Sequence, residues 1–226
     1  MVQAPSEWRY AALLDVVRYV GATAGRGITY GEGEHPLRFW CDAHFAACQD
    51  TGRSSTGWVV TMYGAAVSWS SKKQAATAVS TMDAEYQACG AAARDRLSLI
   101  KVLEELSELC TDLALPEPVV LACDNKAALQ VCQNRKEAQL VKHIDTIHHF
   151  ARGHVASGEL LFVYCQSEEN VSDCPTKSLT RTLFEKGLYG LGMLDRFVVK
   201  LVRKGSVQDR LNSHACMHSG LKDLLW

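Results

Sequence analysis

A chain of 226 residues with 47% apolar content can bury a real core, as one domain with extensions or two small ones, and is no low-complexity polymer. Its net charge of −1 excludes a protein that binds nucleic acid through bulk basic charge alone, although an acidic centre would cancel basic residues in that total. The nine cysteines are odd in number and form no close CxxC pair, so neither a disulfide framework nor a zinc ribbon is signalled.

Most of these cysteines sit in apolar runs, where the free thiol packs as a small hydrophobe, so an intracellular setting, cytoplasm or nucleus, is expected. The first residues lack the charged-then-apolar pattern of a signal peptide. No apolar run approaches the roughly 20 residues of a membrane span, so no membrane partner is expected.

Residues 6–20 carry apolar side chains at helical spacing, namely Trp8, Ala11, Leu14, Val17 and Val20, with Ser6 as a cap. Gly21, Gly25 and Gly27 should end this helix, and Gly31, Gly33 and Pro36 read as a linker. Residues 1–36 are therefore set apart from the rest of the chain. An unpartnered stripe on such a helix predicts weak self-association.

From residue 37 the period becomes two, with Leu37, Phe39 and Cys41 on one side and Arg38, Trp40 and Asp42 on the other. A turn-rich stretch leads to strands at 58–63 and 66–71, completing a three-strand meander. Residues 80–109 predict a long helix, capped by Ser80 or Thr81 and with Asp83 favourable in its first turn. A short strand at 119–123 comes next, beside the first strand if the long helix is a crossover. Then come a helix from Asn125, a helix over 141–157, a strand at 160–165 and a helical region over 170–190. Residues 194–226 form a locally basic extension. The order implies an α/β fold, a mixed sheet of about five strands with helices on both faces.

Four acids stand where acids are costly. Asp42 and Asp124 each follow an apolar strand run, at the edge where open sheets place ligands. Glu85 lies on the small-residue stripe of the long helix with Ala88, Cys89 and Ala92, which should face the sheet. A carboxylate there needs a cation, and Arg96 on the same stripe is one candidate. Asp173 begins the last helical region, where it reads equally well as a plain N-cap. Taken singly, each acid has an ordinary reading as a turn or cap residue. Converging carboxylates would repel one another and favour a hard divalent cation; two such ions can activate water and stabilise the leaving oxygen of a phosphodiester.

The runs CDAHFAACQDTGRSSTGWVVTMYGAAVSWSSKKQ, STMDAEYQA, LACDNKAAL, KHIDTIHHFARGHVASGEL and ENVSDCPTKSL, in that order, resemble the ribonuclease H domain of copia-type LTR retrotransposon Pol polyproteins. The resemblance covers roughly residues 37–193. The run WRYAALLDVVRYVGAT resembles the end of the connection segment that joins reverse transcriptase to that domain. The resemblance implies a ribonuclease H-like fold and a metal-dependent endonuclease that cuts the RNA strand of RNA–DNA hybrids. It further implies two ions, Mg2+ or alternatively Mn2+, and a catalytic and metal-ligating set at Asp42, Glu85, Asp124 and Asp173. The reverse-transcriptase portion of a polyprotein is the implied partner. This sequence departs from the family at His44, where Asp is usual, and at Phe45, where Trp is common. The segment before Asp173 holds Ser167, Glu168 and Glu169 and no His, and Ser172-Asp173-Cys174-Pro175 is less apolar than the family stretch.

Arg53, Ser54 and Ser55 on a turn, with Lys72 and Lys73 after the third strand, are candidate nucleic-acid contacts, since phosphates are met by point charges and hydroxyls. Asn125 is a further candidate, and the pair Lys142-His143 resembles the family's KH pair, which implies a place near nucleic acid. His143, His148, His149 and His154 lack the zinc-helix spacing and read as core or solvated residues. No Asp-Asp pair and no GxxxxGK[ST] loop occurs, which leaves out a polymerase palm and a phosphate-loop ATPase. The alternatives to the nuclease are a catalytically silent nucleic-acid-binding or interaction remnant of a degraded element, and a DNA-cutting relative of the same fold.

Overall fold

The computed structural model describes residues 6–31, 36–109, 115, 117–133 and 146–195, without the side chains of 146–150. The described residues fall into two compact units, one within 30–192 and one made of 6–29 and 193–195. In the second, helix α1 (Glu7–Ala22) is followed by strand β1 (Arg26–Ile28), which pairs antiparallel with β7 (Met193–Asp195). The glycine-rich stretch expected only to end the helix and lead into a linker thus contains a strand. No residue of α1 is buried, and Trp8, Tyr10, Leu13, Val16, Val17 and Val20 are exposed.

The larger unit is a five-stranded mixed sheet in the order β4-β3-β2-β5-β6. Strands β2 (Arg38–His44), β3 (Ser55–Met62) and β4 (Ala65–Lys73) form an antiparallel meander. Helix α2 (Thr81–Leu109) then crosses over, and β5 (Val119–Cys123) lies parallel to β2, as the crossover rule requires. After α3 (Lys126–Gln133) and α4 (Thr146–Ala156), β6 (Leu160–Tyr164) adds parallel to β5. Two 3₁₀ turns, Ser167–Glu169 and Val171–Asp173, lead to α5 (Arg181–Gly190). The helical region expected over 170–190 is therefore a 3₁₀ turn and a separate helix, because Pro175 and the turn it follows break the run.

Alternation along β2 divides the core. Phe39 and Cys41 face α2, in a cluster with Val60, Tyr86, Cys89, Ala92, Leu121, Cys123 and Phe162. Trp40 packs on the opposite face against Val59, Ala66, Val171 and Leu191. The small residues Ala88, Cys89, Ala92 and Ala93 of α2 are buried, which lets the helix backbone come close to the sheet. Its start is fixed reciprocally: Ser80 Oγ accepts from Asp83 N at 3.1 Å, and Asp83 Oδ2 accepts from Val79 N at 2.9 Å. Among the described residues no helix is long and apolar enough to cross a membrane.

The segment after the second 3₁₀ turn lies directly on β3. A Cβ at Gly57 would collide with the Thr176 side chain, and would stand 3.2 Å from Pro175 Cγ and 3.3 Å from the Ser172 carbonyl oxygen. Gly57 pairs across the ladder with Asp42, so this close approach brings residues 172–177 onto the acid's strand. Gly57→Ala should cost about 1–3 kcal/mol, the usual range for overpacking. Denaturant unfolding measures it; an unchanged midpoint would show that the segment yields without cost.

Candidate metal centre

The register of β2 on β5 pairs Phe39 with Leu121 and Trp40 with Ala122; continued by two residues it sets Asp42 level with Asp124. Asp42 has no solvent exposure, although it sits within a strand rather than past its end. Glu85 reaches the same end of the sheet from the second turn of α2 and is buried. Asp173 arrives from the 3₁₀ turn 171–173, held by Asn170, whose Nδ2 donates to the Cys41 carbonyl at 3.0 Å and whose Oδ1 accepts from Ser172 N at 3.2 Å.

The four acids expected from the sequence are thus brought together. Carboxylate oxygens of Asp42, Asp124 and Asp173 lie within 4.8 Å of one another. Those of Glu85 and Asp124, with the Cys123 sulfur, form a second such group that shares Asp124 with the first. Cys123 Sγ lies 3.9 Å from Glu85 Oε2.

Two residues that sequence reasoning missed complete the centre. Lys177 Nζ donates to Asp42 Oδ1 at 2.9 Å and to Asp173 Oδ1 at 3.0 Å. Thr176 Oγ1 donates to the other oxygen of Asp42. The spacing of Lys177 four residues beyond Asp173 was a local signal for that pair alone; nothing local signalled its reach to Asp42.

Arg96, expected as a candidate counter-charge for Glu85, is not one. It is 3% exposed and turns to the far end of the sheet, donating to the Glu159 carbonyl at 3.0 Å with its guanidinium 3.9 Å from the Glu159 carboxylate. Its place 11 positions along α2 from Glu85 puts about 16 Å of helix rise between them, so sharing a stripe does not bring them together.

The electrostatics follow from this crowding. Burial, and then the Asp42 charge, hold Glu85 far above the usual carboxylate range, with Lys177 opposing. The same two causes raise Asp173, to about 6. Burial alone would lower the Lys177 ammonium, but Asp42 and Asp173 hold it above the ordinary lysine value. Two buried and two half-buried acids in these positions, with one ammonium among them, fit a hard cation of higher charge.

The β3–β4 register pairs Ser55 with Lys73, so the candidate nucleic-acid contacts on the turn and after the third strand are brought together at one end of the sheet, but they differ in what they offer. Arg53 and Lys72 are exposed and Ser55 is half-buried. Ser54 is withdrawn from the surface: its Oγ accepts from Ala46 N at 3.1 Å and its carbonyl from Gln74 N at 2.8 Å, so it shapes the turn. Lys73 Nζ is turned to the Cys48 sulfur at 2.8 Å. Asn125 caps α3, its Oδ1 accepting from Ala128 N at 3.0 Å. Lys142 and His143 lie outside the described residues, as do the side chains of His148 and His149. His154 pairs with Glu159 at 2.6 Å.

Its homologues include Pol polyproteins of copia-type retrotransposons. The chain is 32% identical over 190 residues to the retrovirus-related Pol polyprotein from transposon RE1 of Arabidopsis thaliana, across 84% of this chain and 13% of that one. It is 33% identical over 189 residues to the Pol polyprotein from transposon TNT 1-94 of Nicotiana tabacum, across 83% and 14%. The chain therefore spans about one seventh of these relatives. Among solved structures it is similar to the N-terminal RNase H domain of Rv2228c from Mycobacterium tuberculosis, with a TM-score of 0.43 and 13% identity over 67% of this chain and 94% of that one. No family model matches. The fold class is the α/β one expected, and it rests on the sheet itself.

The Lys73 ammonium, and then hydrogen bonds from Thr51, lower the Cys48 thiol from 9.0 to about 7. Because the thiolate is the nucleophile, roughly half of Cys48 should be reactive at neutral pH. Iodoacetamide at pH 7 should label Cys48 before the buried Cys41, Cys89, Cys123 and Cys132, with mass spectrometry as the readout. Lys73→Met should slow that labelling several-fold. Equal rates in the two proteins would mean that Lys73 does not touch the thiol in solution.

Proposed function

We propose that this chain is a retrotransposon ribonuclease H domain that hydrolyses the RNA strand of RNA–DNA hybrids with two divalent ions, Mg2+ or alternatively Mn2+. The observation that carries the proposal is the convergence of Asp42, Asp124 and Asp173, with Glu85 joined through Asp124, at one end of the mixed sheet. The motif order in the sequence and the Pol homologues support the same reading.

Asp42, Glu85, Asp124 and Asp173 would hold the ions. Such a pair supplies an activated water and stabilises the charge on the leaving oxygen. The chain's own residues do the positioning. Asp42 is locked in β2 by ladder bonds and by Thr176, so its carboxylate does not reorganise when charge arrives. Glu85 is fixed by a helix whose first turn is capped on both sides. Asp173 rides on a short 3₁₀ turn rather than a strand or long helix, tied to β2 through Asn170.

The exposed Arg53 and Lys72 suit phosphate contact better than the buried Ser54 or the engaged Lys73. Recognition of RNA would rest on contacts to 2′-hydroxyls. The proposed partners are the hybrid, the reverse-transcriptase portion of a polyprotein, and a second copy through the apolar side chains of α1. The proposed setting is cytoplasm or nucleus.

A hybrid with a labelled RNA strand should be cut in Mg2+ and left whole in EDTA, with cutting restored by added ion. Asp42→Asn or Asp124→Asn should lose more than about 100-fold, beyond the loss typical of groups one shell further from a metal, and keep hybrid binding. Asp173→Asn should be milder. Cutting that persists in EDTA or in Asp42→Asn contradicts the metal reading. Binding without cutting under every condition favours the silent remnant.

A further inference from the structure

The Lys177 ammonium occupies the space that the metal reading assigns to an ion. Its Nζ bridges Asp42 and Asp173 at 2.9 and 3.0 Å, and these two, with Asp124, are the acids whose oxygens lie within 4.8 Å of one another. A small divalent cation would take the same oxygens at about 2.0–2.1 Å. Two cations cannot share that pair of oxygens without strong repulsion. Among the described residues no other lysine or arginine forms an ion pair with any of the four acids.

The mount is suited to movement. The Lys177 side chain is 29% exposed, whereas Asp42 is fully buried, so the lysine has an open side toward which it can swing and the acid does not. Asp42 would keep its Thr176 hydrogen bond after the ammonium left, and Asp173 would stay tied through its turn.

We infer that Lys177 is a tethered counter-ion: it neutralises the acidic centre when no metal is bound and must be displaced for a divalent ion to enter. This rests on the reading of the four acids as metal ligands and adds a built-in competitor to it. The carboxylates are held in place before metal arrives, and the apparent affinity for the ion is weaker than the four acids alone would give. A lysine that merely orders the ligands would act in the opposite direction, since its loss would weaken binding.

Calorimetry with Mn2+ on the full chain, without nucleic acid, separates these cases. Lys177→Met should bind Mn2+ at least about 10-fold more tightly than the parent, while in EDTA it unfolds at lower denaturant because the acids are left unbalanced. Equal or weaker binding by a folded Lys177→Met overturns the inference and leaves the metal reading standing. Absence of Mn2+ binding in parent and variant alike removes the metal reading, and the inference with it. Asp42→Asn serves as the control for ligation at this centre.

Should Lys177→Met not fold in EDTA, the parent chain still decides the matter through amine footprinting. Acylation of Lys177 by an N-hydroxysuccinimide ester, read by mass spectrometry, should rise several-fold on adding Mn2+, with exposed Lys72 unchanged. Metal binding usually protects nearby groups, so a rise is specific to displacement. Unchanged or slower acylation, with calorimetry showing bound Mn2+, means that the lysine stays in place and the inference fails.

Discussion

The burial of one carboxylate organises the larger unit. Asp42 lies on the central strand, at the acidic end of the sheet, with no exposure to water, a position that is costly for a carboxylate unless it is matched. The chain meets that cost from a segment more than 130 residues later, with Lys177 on one oxygen and Thr176 on the other. For the segment to reach Asp42, β3 must lack a side chain opposite it, and Gly57 is the ladder partner of Asp42. Asn170 then anchors the same segment to the backbone one residue before the acid. The placement of Asp173 is a consequence of this docking.

The other side of the sheet explains why Glu85 is strained electrostatically. The stripe of α2 that faces the strands is made of small residues, so the helix comes close and water is excluded. Cys41, Cys89 and Cys123 form an apolar floor beneath the acids, with the Cys41 and Cys89 sulfurs 3.5 Å apart. Thiols offer a carboxylate little solvation, so burial is the first cause of the upward shift at Glu85. The same packing that gives the domain its core therefore makes its acidic end demand a cation.

Much of this was legible in the sequence, for identifiable reasons. Period-two alternation over 37–42 gave β2 and the facing of Cys41 against Asp42. The long amphipathic pattern over 80–109 gave α2 within a residue at its start, and the stripe containing Glu85 gave its orientation. Local patterns could not give long-range pairings. Arg96 shares the stripe with Glu85, but helix rise carries it to Glu159 instead. Lys177 escaped notice because its importance depends on the 172–177 segment folding back over Gly57, a contact of high sequence separation. The β1–β7 pair escaped for the same reason, since three-residue strands have no period to detect. Ser54 looked like a surface hydroxyl in a turn-rich run, but a turn that closes on itself uses its own hydroxyls.

Diffraction from crystals soaked in Mn2+, with anomalous scattering used to locate the ion, tests the central claim most directly. If the acidic centre is a metal site, anomalous density should lie at bonding distance from the carboxylates of Asp42 and Asp124, with the Lys177 side chain withdrawn from Asp42. Saturating Mn2+ that leaves this end of the sheet empty, with Lys177 still bridging Asp42 and Asp173, would contradict the account.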